Sequence, residues 1–167
     1  VQTCALPISL QDVVLRGVHV LELVHQQIIP ARRHRVPARM FQVVVEQLRQ
    51  IVGAWRSETE LADKAQALRR SLSIPLLLLT RASEGMSLFD DRGVQHFPAQ
   101  AREVFDVSGA GDTVIAVLAS LLASGRPLEQ SIMLANRAAG LAVAKLGTAT
   151  VSYDELFSGS FFDSEQL

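Results

Sequence analysis

Four consecutive leucines, in the run Ile74-Pro75-Leu76-Leu77-Leu78-Leu79-Thr80, restrict this 167-residue chain more than any other feature. Successive strand residues point to opposite faces, so an unbroken apolar strand must be buried on both. The run is too short for a packed helix and has turn-like flanks, which favours a strand of the kind found in parallel sheets. Pro75 cannot donate to a ladder and is expected at the first residues of the strand. A strand covered on both sides implies layers of helices, hence an α/β domain. Composition agrees: 49% of residues are hydrophobic and 20% charged, with only ten Gly and six Pro. That excludes a disordered or collagen-like chain. The length suits one domain that buries about two-thirds of its unfolded surface.

The neighbouring segments supply such elements. Apolar residues at 41, 44, 45, 48, 51 and 52 predict a helix over Phe41–Val52, stopped by Gly53. Ser57 with Glu60 has the spacing of a capping box for a second helix. Leu61, Ala65 and Leu68 give that helix its apolar face, and Arg69-Arg70 suit its C-terminal end. After a turn at Ala82–Gly85, Met86–Phe89 and Val94–Phe97 predict a hairpin around Asp90-Asp91-Arg92-Gly93. Met86 and Phe89 are expected in the core. Val104–Val107 reads as a strand leading into a small-residue loop. Helices are expected over about 111–124 and 127–145, with a short one at Tyr153–Phe157.

The ends of the chain read differently. Residues 1–8 resemble a common sequencing adapter translated in frame and are read as an assembly scar, which removes Cys4 from any redox or catalytic role. Residues 9–47 are atypical, as an out-of-frame or chimeric segment would be. The basic run Pro30–Arg39 reads as a solvated loop, with phosphate contact as the alternative. His19, His25 and His34 have no partners at metal spacing. Residues 48–157 are expected to form the folded domain and 158–167 a tail or linker. The formal net charge of −1 gives no general nucleic-acid or membrane affinity, and no apolar run is long enough to span a bilayer. The expected setting is the cytoplasm, with neither nucleic acid nor membrane as partner.

The chemistry concentrates in Asp106-Val107-Ser108-Gly109-Ala110-Gly111-Asp112-Thr113. Gly109, Ala110 and Gly111 let the backbone approach a ligand closely. They open a helix, where unpaired N–H groups and a partial positive charge favour an anion such as phosphate. Asp112 is placed to take a proton from a hydroxyl beside that phosphate. The alternative is that Asp112 and Thr113 only cap the helix. No Walker-type G-x-x-x-x-G-K-[ST] motif is present.

Asp106–Thr113 resembles the C-terminal signature of the ribokinase-like carbohydrate kinases. Thr80–Met86 is similar to their strand-and-turn motif. Ala135–Gly140 followed by Lys145–Thr148 is similar to their nucleotide-edge helix and loop, in the same order and spacing. From Gln50 to Ser152 the resemblance is strongest to heptose-7-phosphate kinases, the kinase half of bifunctional ADP-heptose synthesis enzymes. It implies a layered α/β/α fold with a mainly parallel sheet, here truncated to its C-terminal nucleotide-binding half. It also implies transfer of the ATP γ-phosphoryl group to a sugar hydroxyl. Asp112 would be the base, and Gly109, Ala110 and Gly111 the anion hole. Thr80 and Gly85 would lie along the nucleotide, and Asn136 and Gly147 would border the adenine. Asp106 and Ser108 would help hold a monovalent cation such as K+, and Mg2+ would travel with ATP. The implied partners are ATP and a phosphorylated sugar, with a homodimer for the intact enzyme.

Some positions depart from the pattern. Ala82 stands where many relatives have Gly. The family's Asn-x-x-Glu motif, expected shortly before residue 50, meets Val43-Val44-Val45-Glu46-Gln47 instead. A fragment of this kind is expected to be inactive alone. The competing readings are another sugar or nucleoside kinase of the same family, or a catalytically dead nucleotide-binding half-domain. Arg81 and Arg137 read as solvated or ion-paired, with phosphate contact as the alternative.

Overall fold

The computed structural model describes residues 20–21, 40–100 and 103–158. Cys4, the three early histidines, the basic run and residues 159–167 lie outside them. The chain divides into two compact units, Val1–His96 and Phe97–Leu167.

In the first unit, strands β1 (Val20–Leu21), β2 (Met40–Val44), β3 (Leu76–Thr80), β4 (Met86–Asp90) and β5 (Gly93–Phe97) form one sheet in chain order. β2 and β3 run parallel, from Met40 opposite Leu76 to Val44 opposite Thr80. β1 is antiparallel to β2, and β4 to β3. The described sheet is therefore mixed, with parallel pairing at β2–β3. The leucine run behaves as expected: Leu77, Leu78 and Leu79 are fully buried. Pro75 lies immediately before the strand.

The helix expected over Phe41–Val52 is corrected. Only α1 (Val45–Val52) is helical, and Met40–Val44 is strand β2. The helical stripe holds from Val45 on. The β-branched Val43 and Val44 suit a pleated surface, and ladder bonds to β3 outweigh a marginal local periodicity. One strand face meets the helices. Val43, Leu77, Leu79 and Phe89 pack against Leu48 of α1 and against Leu61, Ala65 and Leu68 of α2 (Glu58–Ser71). Trp55 packs on this cluster, with the Arg49 guanidinium 4.9 Å from its ring centre.

α2 starts as predicted, the Ser57 hydroxyl accepting the Glu60 amide at 3.1 Å. The reciprocal half differs: the Glu60 carboxylate accepts the amide of Arg56, not that of Ser57. At its other end Ser73 N–H donates to Arg70 O and Ile74 N–H to Arg69 O, at 3.0 and 3.1 Å. This is a Schellman stop with Ser73 at φ +52°, where glycine is usual. Arg69 does more than favour the helix dipole. It is 6% exposed. Its guanidinium donates to the carbonyls of Ile74 and Pro75 and to the Asp91 carboxylate, at 3.2, 3.1 and 2.7 Å. One side chain thereby ties together the end of α2, the entry to β3 and the hairpin turn.

In the second unit, α3 (Ala110–Ala123) and α4 (Leu128–Val143) pack side by side, and α5 (Tyr153–Phe157) follows. Leu156 of α5 seals against Leu134 and Ala138 of α4, with Val117 and Leu121 of α3 alongside. The strand expected at Val104–Val107 is absent; these residues form an irregular segment. Their backbone bonds go elsewhere: the amides of Phe105 and Asp106 both donate to Val143 O, the last helical carbonyl of α4, at 2.8 and 3.2 Å.

Two substitutions test this account. Ser73→Gly should stabilise the first unit by about 0.5–1 kcal/mol, because glycine carries no left-handed penalty there; a rise in melting temperature checks it. Arg69→Met should cost about 1–3 kcal/mol, because it strands the carbonyls of Ile74 and Pro75. Urea unfolding reads that loss.

Candidate active site

The second unit builds the small-residue loop around one carboxylate. Asp106 Oδ1 accepts the Ser108 amide at 2.8 Å, an Asx turn. Asp106 Oδ2 accepts the Gly147 amide at 3.2 Å, from 41 residues further along the chain. The loop before α3 and the loop after α4 are thus held by the two oxygens of one side chain. The Ser108 backbone and side chain, and then the Gly147 amide, hold the Asp106 carboxyl below its ordinary pKa despite some opposing desolvation.

Gly109 is the N-cap of α3, at φ +78°. A Cβ at this position would also lie 3.1 Å from Thr148 Cγ2. Conformation and close approach therefore both require glycine. The Gly109 carbonyl accepts both the amide and the hydroxyl of Thr113 at 2.9 Å, so Thr113 bonds back to the preceding turn and does not cap the helix, which has no side-chain cap. Asp112 is exposed in the first turn of α3, and its carboxylate takes no hydrogen bond among the described residues. It does not cap the helix.

The expected anion hole changes by one residue. The Ala110 amide is already spent on Val107 O, at 3.2 Å. The amides of Gly109, Gly111 and Asp112 have no acceptor among the described residues, and nothing would crowd a Cβ at Gly111. The free donors at the helix entrance are therefore Gly109, Gly111 and Asp112. Sequence reasoning missed the Asp112 amide because only the geometry of the cap decides which first-turn donor stays free.

Asn136 is 6% exposed, and its Nδ2 donates to Pro98 O at 2.7 Å. Its donor is thus committed to fixing the chain after β5. Arg137 borders a groove of about 580 Å3 with Gln100, Glu103, Gly140, Leu141 and Ala144, while its Nη2 donates to Ser158 O. Lys145 donates to Thr150 O at 2.8 Å and pairs with Glu155 at 2.7 Å. Asp106 and Ser108 meet through the Ser108 amide, which donates to Asp106 Oδ1. Among the described residues no three His, Cys, Asp or Glu side chains gather to hold a metal.

In the first unit Thr80 ends β3, its hydroxyl 3.4 Å from Val43 O. A 3-10 turn at Ala82–Glu84 leads to Gly85. Arg81 is ion-paired, as the sequence suggested: it contacts Glu58 at 2.8 Å and also Glu84. The β2–α1 junction carries Val44 at the N-cap and Gln47 at the third helical position, the Gln47 Oε1 accepting the Val44 amide at 3.2 Å. Its one carboxylate, Glu46, faces solvent. Such a donor set does not fit Mg2+, which prefers carboxylate oxygens.

The Asp106 bridge makes a pH prediction. Its pKa is depressed on folding, so the stabilisation it gives is complete above the unfolded value and is lost as pH falls through the folded one. The amide shifts of Ser108 and Gly147 should titrate together, with a midpoint below 3.8, the ordinary aspartate value. Separate midpoints, or one at 3.8, would contradict the bridge.

Over residues 45–155 the chain matches the pfkB family carbohydrate kinase. It is 50% identical over 110 residues to the D-beta-D-heptose 7-phosphate kinase of Bordetella bronchiseptica, covering 66% of this chain and 35% of that one. To the bifunctional protein HldE of Photorhabdus laumondii it is 51% identical over 107 residues, covering 64% and 23%. The chain therefore spans about a third or less of the length of these relatives. A solved structure of Arabidopsis thaliana ribokinase complexed with ribose and ATP superposes with a TM-score of 0.60 at 22% identity, over 65% of this chain and 36% of that one. At that identity the likeness shows the fold, a ribokinase-like α/β arrangement. With its family match covering most of the sequence and its glycine-opened helix bearing Asp112, the chain belongs to the pfkB family of carbohydrate kinases.

Proposed function

We propose that this chain carries the base-bearing and nucleotide-side part of a kinase that moves the ATP γ-phosphoryl group to a hydroxyl of D-glycero-D-manno-heptose 7-phosphate. The product would feed ADP-heptose and lipopolysaccharide core synthesis in the cytoplasm. One observation carries the reading: an exposed, uncommitted Asp112 carboxylate stands on the first turn of a helix beside three amides with no acceptor. The Asp112 carboxylate takes the proton of the sugar hydroxyl. The freed oxygen attacks the γ-phosphorus, and the bond to the β-phosphate oxygen breaks to release ADP. The amides of Gly109, Gly111 and Asp112 meet the charge on the transferred group. Thr80 and Gly85 line the nucleotide, Asn136 and Gly147 sit at the adenine side, and Asp106 with Ser108 belongs to a monovalent-cation site for K+. The choice of sugar rests on the name of the 50% identical relative. Metal chemistry enters only with the nucleotide, since Val44 and Gln47 offer no carboxylate.

In an active kinase that contains this part, Asp112→Asn should lower turnover by about 10²–10⁴-fold while nucleotide affinity stays within about twofold, as expected for a group that acts in the transition state. ADP release with heptose 7-phosphate, compared with ribose and fructose 6-phosphate, measures both base and substrate. Undiminished turnover in the variant would remove Asp112 from the role of base.

A second reading, a nucleotide-binding module without turnover, draws on the neutral residues Val44 and Gln47 at the β2–α1 junction. It predicts nucleotide binding and no ADP release by either form. Phosphorylation of any sugar by this chain rejects it.

A further inference from the structure

The turn after β3 is held in an unfavourable shape. Ala82 sits at φ +49°, a left-handed conformation uncommon for residues other than glycine. Three backbone bonds surround it: Arg81 N–H to Gly85 O at 2.8 Å, Glu84 N–H to Arg81 O at 3.0 Å and Gly85 N–H to Ala82 O at 3.1 Å. A short turn of this kind has several alternatives of similar energy once its left-handed residue relaxes.

The Arg81 side chain lies across this turn. It is 10% exposed. Nη1 and Nη2 each donate to one oxygen of Glu58 at 2.8 Å, a two-pronged pair. Nη2 also contacts Glu84 on the turn itself, and Nη1 lies 3.5 Å from the buried Ser87 hydroxyl, which is 3.0 Å from His96 Nδ1. Glu58 is the first residue of α2, behind the Ser57 cap, so its carboxylate is anchored on a rigid helix end. Both terminal nitrogens of the guanidinium are engaged by carboxylates of its own unit, while the buried Nε meets no acceptor among the described residues.

We infer that Arg81 is a positioning residue: its clamp between Glu58 and Glu84 fixes the left-handed turn at Ala82 and so sets where Thr80 and Gly85 stand against the nucleotide. The nucleotide half of this statement rests on the proposed function; the clamp on the turn does not. Lysine cannot reproduce the two-pronged geometry, so Arg81→Lys keeps the charge and loses the clamp.

Glu58→Gln and Arg81→Lys are the test variants. Amide hydrogen exchange on the whole chain comes first. The Glu84 and Gly85 amides should exchange at least about tenfold faster in the single variants, while the α2 amides and the melting temperature barely change. Unchanged exchange at Glu84 and Gly85, with the fold intact, would overturn the clamp. The second measurement titrates a non-hydrolysable ATP analogue. The single variants should bind about five- to tenfold more weakly, roughly 1–1.4 kcal/mol by the affinity relation. Faster exchange with unaltered affinity would overturn the link to the nucleotide. No analogue binding by the unaltered chain would overturn the proposed function, and the exchange result would still decide the clamp.

Discussion

The second unit depends on the two oxygens of Asp106. Each holds one backbone amide, and those amides belong to loops on opposite sides of a two-helix hairpin. Without the carboxylate, Val104–Ser108 would keep the bonds to Val143 O at the end of α4 and the Ala110 amide on Val107 O, and lose its tie to the loop after α4. The Gly109 cap, the direction of α3 and the height of Asp112 above the helix entrance all follow from where this loop is fixed. The small-residue loop and the distant Thr148 also approach closely: a Cβ at Gly109 would lie 3.1 Å from Thr148 Cγ2.

Arg69 does the comparable work in the first unit, and by the same means. A buried charged group is costly unless it is fully bonded, and Arg69 meets two carbonyls, a carboxylate and the Gln66 side chain. Arg81 repeats the pattern one strand-length away, at the other end of β3. The leucine strand is thereby pinned at entry and exit by two arginines that the local sequence shows only as cations. Between them the apolar run needs no polar side chain of its own. This division explains how so hydrophobic a strand is kept in one register.

Much of the fold was legible from local chemistry. The doubly buried β3, the β4–β5 hairpin, the Ser57 cap, the three later helices and the core places of Met86 and Phe89 follow from periodicity and turn residues. The glycine-opened start of α3 was legible in the run Gly109-Ala110-Gly111 before a long apolar helix. Two elements were misread. Met40–Val44 carries a helical stripe but finds a parallel partner in β3. Val104–Val107 has strand-like residues but finds its acceptor at a helix end. In both, bonding to a segment more than 30 residues away outweighed local preference. Asn136 shows the same limit, since nothing near it in sequence announces its bond to Pro98.

The residues alone determined most of the elements this chain forms and where its small-residue loop opens a helix, because burial, period and capping are local properties. Tertiary structure decided the rest. It spent the Ala110 amide and left those of Gly109, Gly111 and Asp112 as the free donors, engaged Arg81 with carboxylates, and gave one aspartate to two loops. Those outcomes depend on which groups meet across the folded chain, and a hydrogen bond between residues 41 apart has no local signature.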